Sequence, residues 1–141
     1  MRKIRTSRLF PDGSDTFFAP KIKGCFDKRY IIPEFKVKTC EFVFLKSNEQ
    51  SIKSTDEVSI WLDNSAFIAN AKVKKSKTIG IYFSHKKRLR IRIGDRILTE
   101  GEMLSLSEQY GCYCYGDFVD YCFALCNEGN EYFKGQIIYW R

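Results

Sequence analysis

The most regular pattern in the chain is RLRIRI, residues 88–93. Arginine at 88, 90 and 92 alternates with leucine or isoleucine at 89, 91 and 93, which predicts a β-strand with one apolar and one basic face. Alternate side chains on a strand stand about 7 Å apart, close to the spacing of successive phosphates on a single nucleic-acid strand. Guanidinium groups bind phosphates and carboxylates through paired hydrogen bonds. This strand is therefore the first candidate for a partner-binding element.

Similar strand patterns flank it on both sides. β-favouring residues crowd 36–46, and alternating residues at 58–62 and 67–73 around a turn at 63–65 predict a hairpin. Further strands are expected at 78–84, 112–115, 118–126 and 132–140. Thr99 and Glu102 have the spacing of a capping box, which predicts one helix that ends near Gly111.

The first 35 residues look different from the rest. Pro11, Gly13, Pro20, Gly24 and Pro33 interrupt them, so we expect an irregular N-terminal arm followed by a sheet-rich core over 36–141. The 141 residues suffice for one domain. The predicted fold class is α+β and dominated by strands, with a mainly antiparallel sheet that could curl toward a barrel and one or two helices packed on it.

Charge is concentrated around the RLRIRI strand. Residues 72–96 hold ten basic side chains and one acid, a net +9, whereas the whole chain carries +7. Such a local excess attracts anionic partners, although it also suits a solvated strand surface. The predicted basic face consists of Lys74, Lys75, Lys77, Lys86, Lys87, Arg88, Arg90 and Arg92.

The C-terminal third combines aromatic rings with acids. Tyrosine among charged residues is typical of protein interfaces, where the rings act as anchors. The alternative is a core strand buried on both faces. The predicted aromatic and acidic face consists of Tyr113, Tyr115, Asp117, Asp120 and Tyr121.

Six cysteines raise the question of a metal site. If 112–115 and 118–126 were paired strands, four thiols could meet, and four thiolates suit zinc. The spacings are not those of a Cys-x₂-Cys knuckle, and free cysteine commonly packs as a small apolar side chain. We therefore expect no cofactor, and the residues of the unfavoured zinc alternative are Cys112, Cys114, Cys122 and Cys126.

Catalytic residues are scarce. His85 is the single histidine, which excludes chemistry that needs two, and no glycine-rich phosphate loop occurs. A small metal-independent ribonuclease would have to use His85. The simpler interpretation is an exposed loop residue.

These observations favour a non-enzymatic, cytoplasmic binding protein that neutralises or inhibits a protein partner, of the immunity-protein, antitoxin or phage-inhibitor type. The alternative is a nucleic-acid-binding sheet module that uses the basic strand 86–92, with Tyr82 or Trp61 stacking on bases. No apolar run reaches the roughly 18 residues of a membrane helix, and no apolar segment follows the basic start, so we expect neither membrane insertion nor a signal peptide. A homodimer remains open.

Overall fold

The structure is a computed structural model that describes residues 1–31, 36–84, 88–127 and 132–141. Three α-helices and eight strands alternate along these segments, and a short 3₁₀ helix spans Lys28–Tyr30. The elements are β1 (Arg2–Thr6), α1 (Phe18–Lys23), β2 (Cys40–Phe44), β3 (Glu57–Leu62), β4 (Ala66–Lys72), β5 (Lys75–Phe83), β6 (Leu89–Ile93), β7 (Arg96–Ile97), α2 (Glu100–Gln109), α3 (Tyr115–Asn127) and β8 (Tyr132–Tyr139).

The strands form two sheets. The larger is fully antiparallel in the order β2-β8-β5-β6-β7, and the smaller has the order β1-β3-β4 with β1 parallel to β3. The fold is therefore α+β and dominated by strands, as predicted. The described strands do not close into a barrel.

The RLRIRI prediction is confirmed. β6 pairs with β5, and its Leu89 and Ile91 are buried whereas Arg92 is exposed. The hairpin around 63–65 is also present as β3 and β4, with Asp63 in a left-handed conformation at φ 50°.

The helix predicted from its capping box is α2. Thr99 Oγ1 accepts a hydrogen bond from the backbone N–H of Glu102, and the Glu102 side chain accepts one from the N–H of Thr99. After the helix, Gly111 adopts φ +83°, a conformation that glycine tolerates without steric cost.

The prediction of strands at 112–115 and 118–126 was wrong, because 112–114 form a loop and helix α3 follows it. Phe118, Cys122 and Cys126 are buried at intervals of four residues, which is the spacing of one helical face. The local β-propensity of tyrosine, phenylalanine and valine is overridden here by the packing of that face.

The N-terminal segment is also more regular than expected. Ile4 and Thr6 of β1 are buried, and the strand pairs with β3 more than fifty residues away. Pro20 lies in the first turn of α1, where a backbone N–H has no partner within the helix, so the proline does not break it.

Both sheets and all three α-helices contribute to one hydrophobic core. Helix α3 lies on one face of the larger sheet, where the Phe123 and Phe83 ring centroids are 5.2 Å apart and Cys126 Sγ donates a hydrogen bond to the Ile81 carbonyl at 3.3 Å. Helix α3 therefore does not cover the opposite face of β5, β6 and β8. Within the described segments, no helix has the length and apolar character required to cross a membrane.

Candidate nucleic-acid interface

The face of the larger sheet opposite α3 carries two cross-strand rows of side chains. In the first row, Tyr132 of β8 pairs with Tyr82 of β5, which pairs with Arg90 of β6. Directly opposed residues of antiparallel strands point to the same side of the sheet, so these three side chains stand together. Neighbouring strands are about 4.8 Å apart, and the row therefore spans about 10 Å.

The second row lies two residues farther along the strands. Lys134 of β8 pairs with Gly80 of β5, Gly80 with Arg92 of β6, and Arg92 with Ile97 of β7. We call the surface formed by Tyr82, Arg90, Arg92, Tyr132 and Lys134 the tyrosine–arginine face.

The rings of this face are available to a ligand. Tyr132 is 47 % exposed and Tyr82 is half-buried, and their ring centroids lie 6.2 Å apart with an interplanar angle of 39°. Gly80 provides the space for this arrangement, because a Cβ there would lie 2.7 Å from the Tyr132 hydroxyl. The Tyr132 side chain therefore extends over the neighbouring strand.

The charge of the tyrosine–arginine face is uniformly positive. Arg90, Arg92 and Lys134 form no ion pair with any described residue. The described residues of β5 to β8 that share this side of the sheet include no aspartate or glutamate. Cations without a carboxylate partner can approach an anionic ligand without first losing an interaction within the protein.

The structure separates the basic residues that the sequence grouped together. Lys75 and Lys77 lie an odd number of residues before Gly80 and Tyr82 in β5. Their side chains therefore point to the side of the sheet opposite the arginines. There they line a groove of about 720 Å³ with Arg96 and Tyr139, and Lys75 Nζ lies 4.4 Å from the centroid of the Tyr139 ring.

The remaining members of the predicted basic face lie elsewhere in the chain. Lys74 lies exposed between β4 and β5, and Arg88 lies exposed directly before β6. Lys86, Lys87 and the candidate catalytic residue His85 lie outside the described residues. The sequence analysis did not identify Lys134 or Gly80. For Lys134 a signal existed, because Tyr132 and Lys134 are two residues apart in a predicted strand and so share one face.

The predicted aromatic and acidic face is not one surface, because Tyr121 is buried. Its hydroxyl lies 3.2 Å from Ser7 Oγ, and its ring contacts Tyr110 in the core at 5.2 Å between centroids. Burial raises the pKa of this hydroxyl. The helical conformation of α3 turns Tyr121 inward. Tyr113 is 77 % exposed and Asp120 is exposed, whereas Tyr115 and Asp117 are partly buried.

The cysteines proposed for the zinc alternative are placed on a turn and a helix rather than on paired strands. Cys112, Cys122 and Cys126 are buried, while Cys114 is exposed. Burial raises the pKa of Cys112 to about 12, so this thiol is held in the neutral form. Among the described residues, no three His, Cys, Asp or Glu side chains form a group that could hold a metal ion.

A buried charged cluster, which the sequence did not indicate, lies between α1, β2 and α2. Lys38 Nζ is 3.4 Å from Glu41 Oε2 and 3.1 Å from the Tyr110 ring centroid, and the Tyr110 hydroxyl donates a hydrogen bond to Glu41. Burial lowers the pKa of Lys38, and burial next to the Glu41 carboxylate raises the pKa of Tyr110. All three side chains are closed off from solvent, so we assign the cluster a structural role.

Comparison of the chain with protein-family models, curated proteins and solved structures finds no match. The functional interpretation therefore depends on the residues of the site.

Proposed function

We propose that this protein is a non-enzymatic binding protein that holds single-stranded nucleic acid on its tyrosine–arginine face. The observation that carries the proposal is the alignment of Tyr132, Tyr82 and Arg90 across three adjacent strands, with Lys134 and Arg92 in the next row. Bases stack on exposed aromatic rings, and basic side chains beside the rings contact the phosphates. The rows are about 7 Å apart, which suits successive nucleotides of an extended strand.

Single-stranded rather than duplex nucleic acid is the ligand that this chemistry favours. The rings stand on a sheet surface, and only unpaired bases can leave their stack to contact them. A duplex would present its phosphates to the cations but would leave the tyrosines unused.

The sequence pattern favours inhibition of a protein partner over nucleic-acid binding. The placement of the side chains in the structure is our reason for the opposite order. Tyr121, one of the expected anchors, is buried, whereas beside the arginines Tyr132 is exposed and Tyr82 is partly exposed. Inhibition of a protein partner remains a second candidate, and the exposed Tyr113 favours it. The ribonuclease alternative stays a prediction of the sequence, since His85 lies outside the described residues.

The test is the fluorescence anisotropy of a labelled 12-nucleotide single strand of mixed sequence, titrated with wild type and with two double variants. Arg90→Ala with Arg92→Ala removes two positive charges from the tyrosine–arginine face. Lys75→Ala with Lys77→Ala removes the same charge from the opposite face and is the matched control. The plot of log affinity against log salt has a negative slope. We expect the arginine variant alone to make it shallower by about 1.4, because each phosphate contact to a single strand contributes about 0.7.

The stacking component is tested separately by Tyr82→Ala. Loss of one stacked base should weaken binding about 5- to 150-fold at constant salt, with the salt slope unchanged. Equal losses in the two charge variants would indicate diffuse attraction and reject the site. Absence of any binding by wild type would reject the function and leave the protein-partner candidate.

A further inference from the structure

The smaller sheet has a second surface on which rings and cations stand together. Lys3 and Arg5 of β1 lie in register with Ser59 and Trp61 of β3, and Trp61 pairs with Phe67 of β4. Lys3 and Arg5 alternate with the buried Ile4 and Thr6, so they point away from the core. We call the surface formed by Lys3, Arg5, Trp61 and Phe67 the tryptophan face.

A β-bulge creates the aromatic pair of this face. Ile60 pairs with Ala69, but Trp61 pairs with Phe67, so one extra residue, Ile68, is accommodated in β4 at this point. Ile68 is buried, whereas Phe67 is 51 % exposed. Without the bulge, Ile68 would stand opposite Trp61. Bulges commonly redirect a side chain next to a functional site, and here the redirected side chain is a phenylalanine placed beside a tryptophan.

Two contacts hold the tryptophan ring in place, and a lysine lies over its face. Trp61 and Phe67 meet edge to face with 5.5 Å between centroids, Trp61 Nε1 donates a hydrogen bond to Ser59 Oγ at 3.1 Å, and Lys3 Nζ lies 4.0 Å from the Trp61 ring centroid. Arg5 is exposed and forms no ion pair with a described residue. The surface is thus preorganised and carries positive charge.

We propose that the tryptophan face is a second contact surface for the single-stranded nucleic acid, used when the strand is long enough to reach both sheets. The inference rests on the proposed function. Charge complementarity selects this occupant, because Lys3 and Arg5 suit phosphates and the two rings suit bases. Trp61 is partly exposed, and an ammonium over such an indole is held more weakly than a stacked base. The base therefore displaces Lys3 from the ring, and Lys3 moves to a phosphate.

Tryptophan fluorescence gives a direct readout of this surface. The chain has two tryptophans, and Trp140 is 2 % exposed with its Nε1 donating to the Lys38 carbonyl at 2.9 Å. A base that stacks at the surface should therefore quench Trp61 and leave Trp140 unaffected. The probe is an unlabelled 30-nucleotide oligodeoxythymidylate, with binding of a labelled copy followed in parallel by anisotropy.

We expect emission to fall over the concentration range in which anisotropy rises, and the fall to be absent in Trp61→Phe. Trp61→Ala with Phe67→Ala should weaken binding of the 30-mer at least about fivefold, the lower limit for loss of one stacked base. Asn70→Ala, at an exposed position opposite Ser59, is the matched control and should bind within twofold of wild type. Circular dichroism confirms that each variant is folded.

The outcomes separate the two proposals. No anisotropy change in wild type overturns the proposed function. A normal anisotropy change without quenching, and with unaltered binding by the double alanine variant, overturns only the tryptophan face. If the emission per molecule, or its wavelength maximum, changed with protein concentration in the absence of the oligonucleotide, a second copy of the chain would be identified as the occupant. That result would also overturn this inference.

Discussion

Tyr132 extends over Gly80 of the adjacent strand, so that a Cβ at position 80 would stand 2.7 Å from the tyrosine hydroxyl. Gly80 itself is buried and lies in register with Lys134 and Arg92. The absence of a side chain in the middle of the second row is therefore what allows a ring from the first row to lie along the sheet surface.

Gly80→Ala should displace this ring while sparing the fold. The three nearest atoms belong to the Tyr132 side chain, which can rotate away, so we expect the free energy of unfolding to change by no more than about 1 kcal/mol, the difference between glycine and alanine inside a strand. Affinity for the 12-nucleotide strand should fall by up to about fivefold, a partial loss of one stacking contact. Urea denaturation and anisotropy measure the two quantities. Unchanged affinity would show that the position of the Tyr132 ring does not matter for binding.

Gly135→Ala is the destabilising counterpart. A Cβ at position 135 would lie 2.1 Å from the Val43 carbonyl oxygen and 3.0 Å from its carbon, both backbone atoms of the neighbouring strand β2. Since backbone cannot rotate away, β2 and β8 must separate locally, and we expect a loss of about 1–3 kcal/mol. The measurement is urea denaturation beside Gly80→Ala. Equal stability of the two variants would contradict the interpretation.

The elements that could be predicted from the sequence are those with local signals. The strand β6 and the β3–β4 hairpin follow from local alternation and a turn, and helix α2 follows from the Thr99–Glu102 pair, so each needed only a few neighbouring residues. In α3 the local signals conflict. Tyr115, Phe118 and Tyr121 favour strands individually, yet the burial of Phe118, Cys122 and Cys126 follows helical spacing. Weighing that spacing above propensity would have identified the helix.

The candidate site was less predictable because its residues come from distant parts of the chain. Arg90 and Tyr82 are near in sequence, but Tyr132 joins them only through the pairing of β5 with β8. Likewise, Lys3 meets Trp61 only because β1 pairs with β3. Strand order across fifty residues depends on the global packing of the core, which no local pattern encodes.

Thr99→Ala tests the capping box at α2. The substitution removes the acceptor for the Glu102 N–H, and it should cost about 1 kcal/mol of unfolding free energy. Thr99→Ser retains the hydroxyl and is the control. Thermal or urea denaturation distinguishes them, and equal losses in both variants would assign the effect to the threonine methyl group rather than to the cap.

The Lys38–Glu41 pair should be costly to break from one side. Lys38→Met has a similar volume but leaves the Glu41 carboxylate buried without its cation, and we expect a loss of about 3–5 kcal/mol. Adding Glu41→Gln removes the second charge and keeps an oxygen for the Tyr110 hydroxyl, so the double variant should recover most of that loss. A double variant as unstable as the single one would mean that packing of Lys38, not charge balance, dominates.

Stability should decrease above pH 9 because several thiols are buried in neutral form. Burial raises the pKa of Cys40 and of Cys112 to about 12 and that of Cys122 well above its ordinary value of 9. A group whose pKa is higher in the folded state stabilises the fold fully below its unfolded pKa. That stabilisation is lost as the pH rises from about 9 toward 12, at about 1.4 kcal/mol per pH unit for each thiol.

Buried lysines act in the opposite direction but do not cancel this effect. Burial lowers the pKa of Lys21 and Lys38, so their contribution to stability rises with pH until the unfolded lysines titrate near 10.5. Near pH 10, unfolding releases about three protons from these thiols and takes up at most two on the lysines, so at least about one net proton is released. Urea denaturation with a reductant at pH 9.5 to 11 should therefore show stability falling with pH, by about 1.4 kcal/mol per unit or more once the pH exceeds about 10. Cys40→Ala should make the slope shallower by about that amount, with exposed Cys114→Ala as control, and a flat profile in wild type would contradict the buried-thiol account.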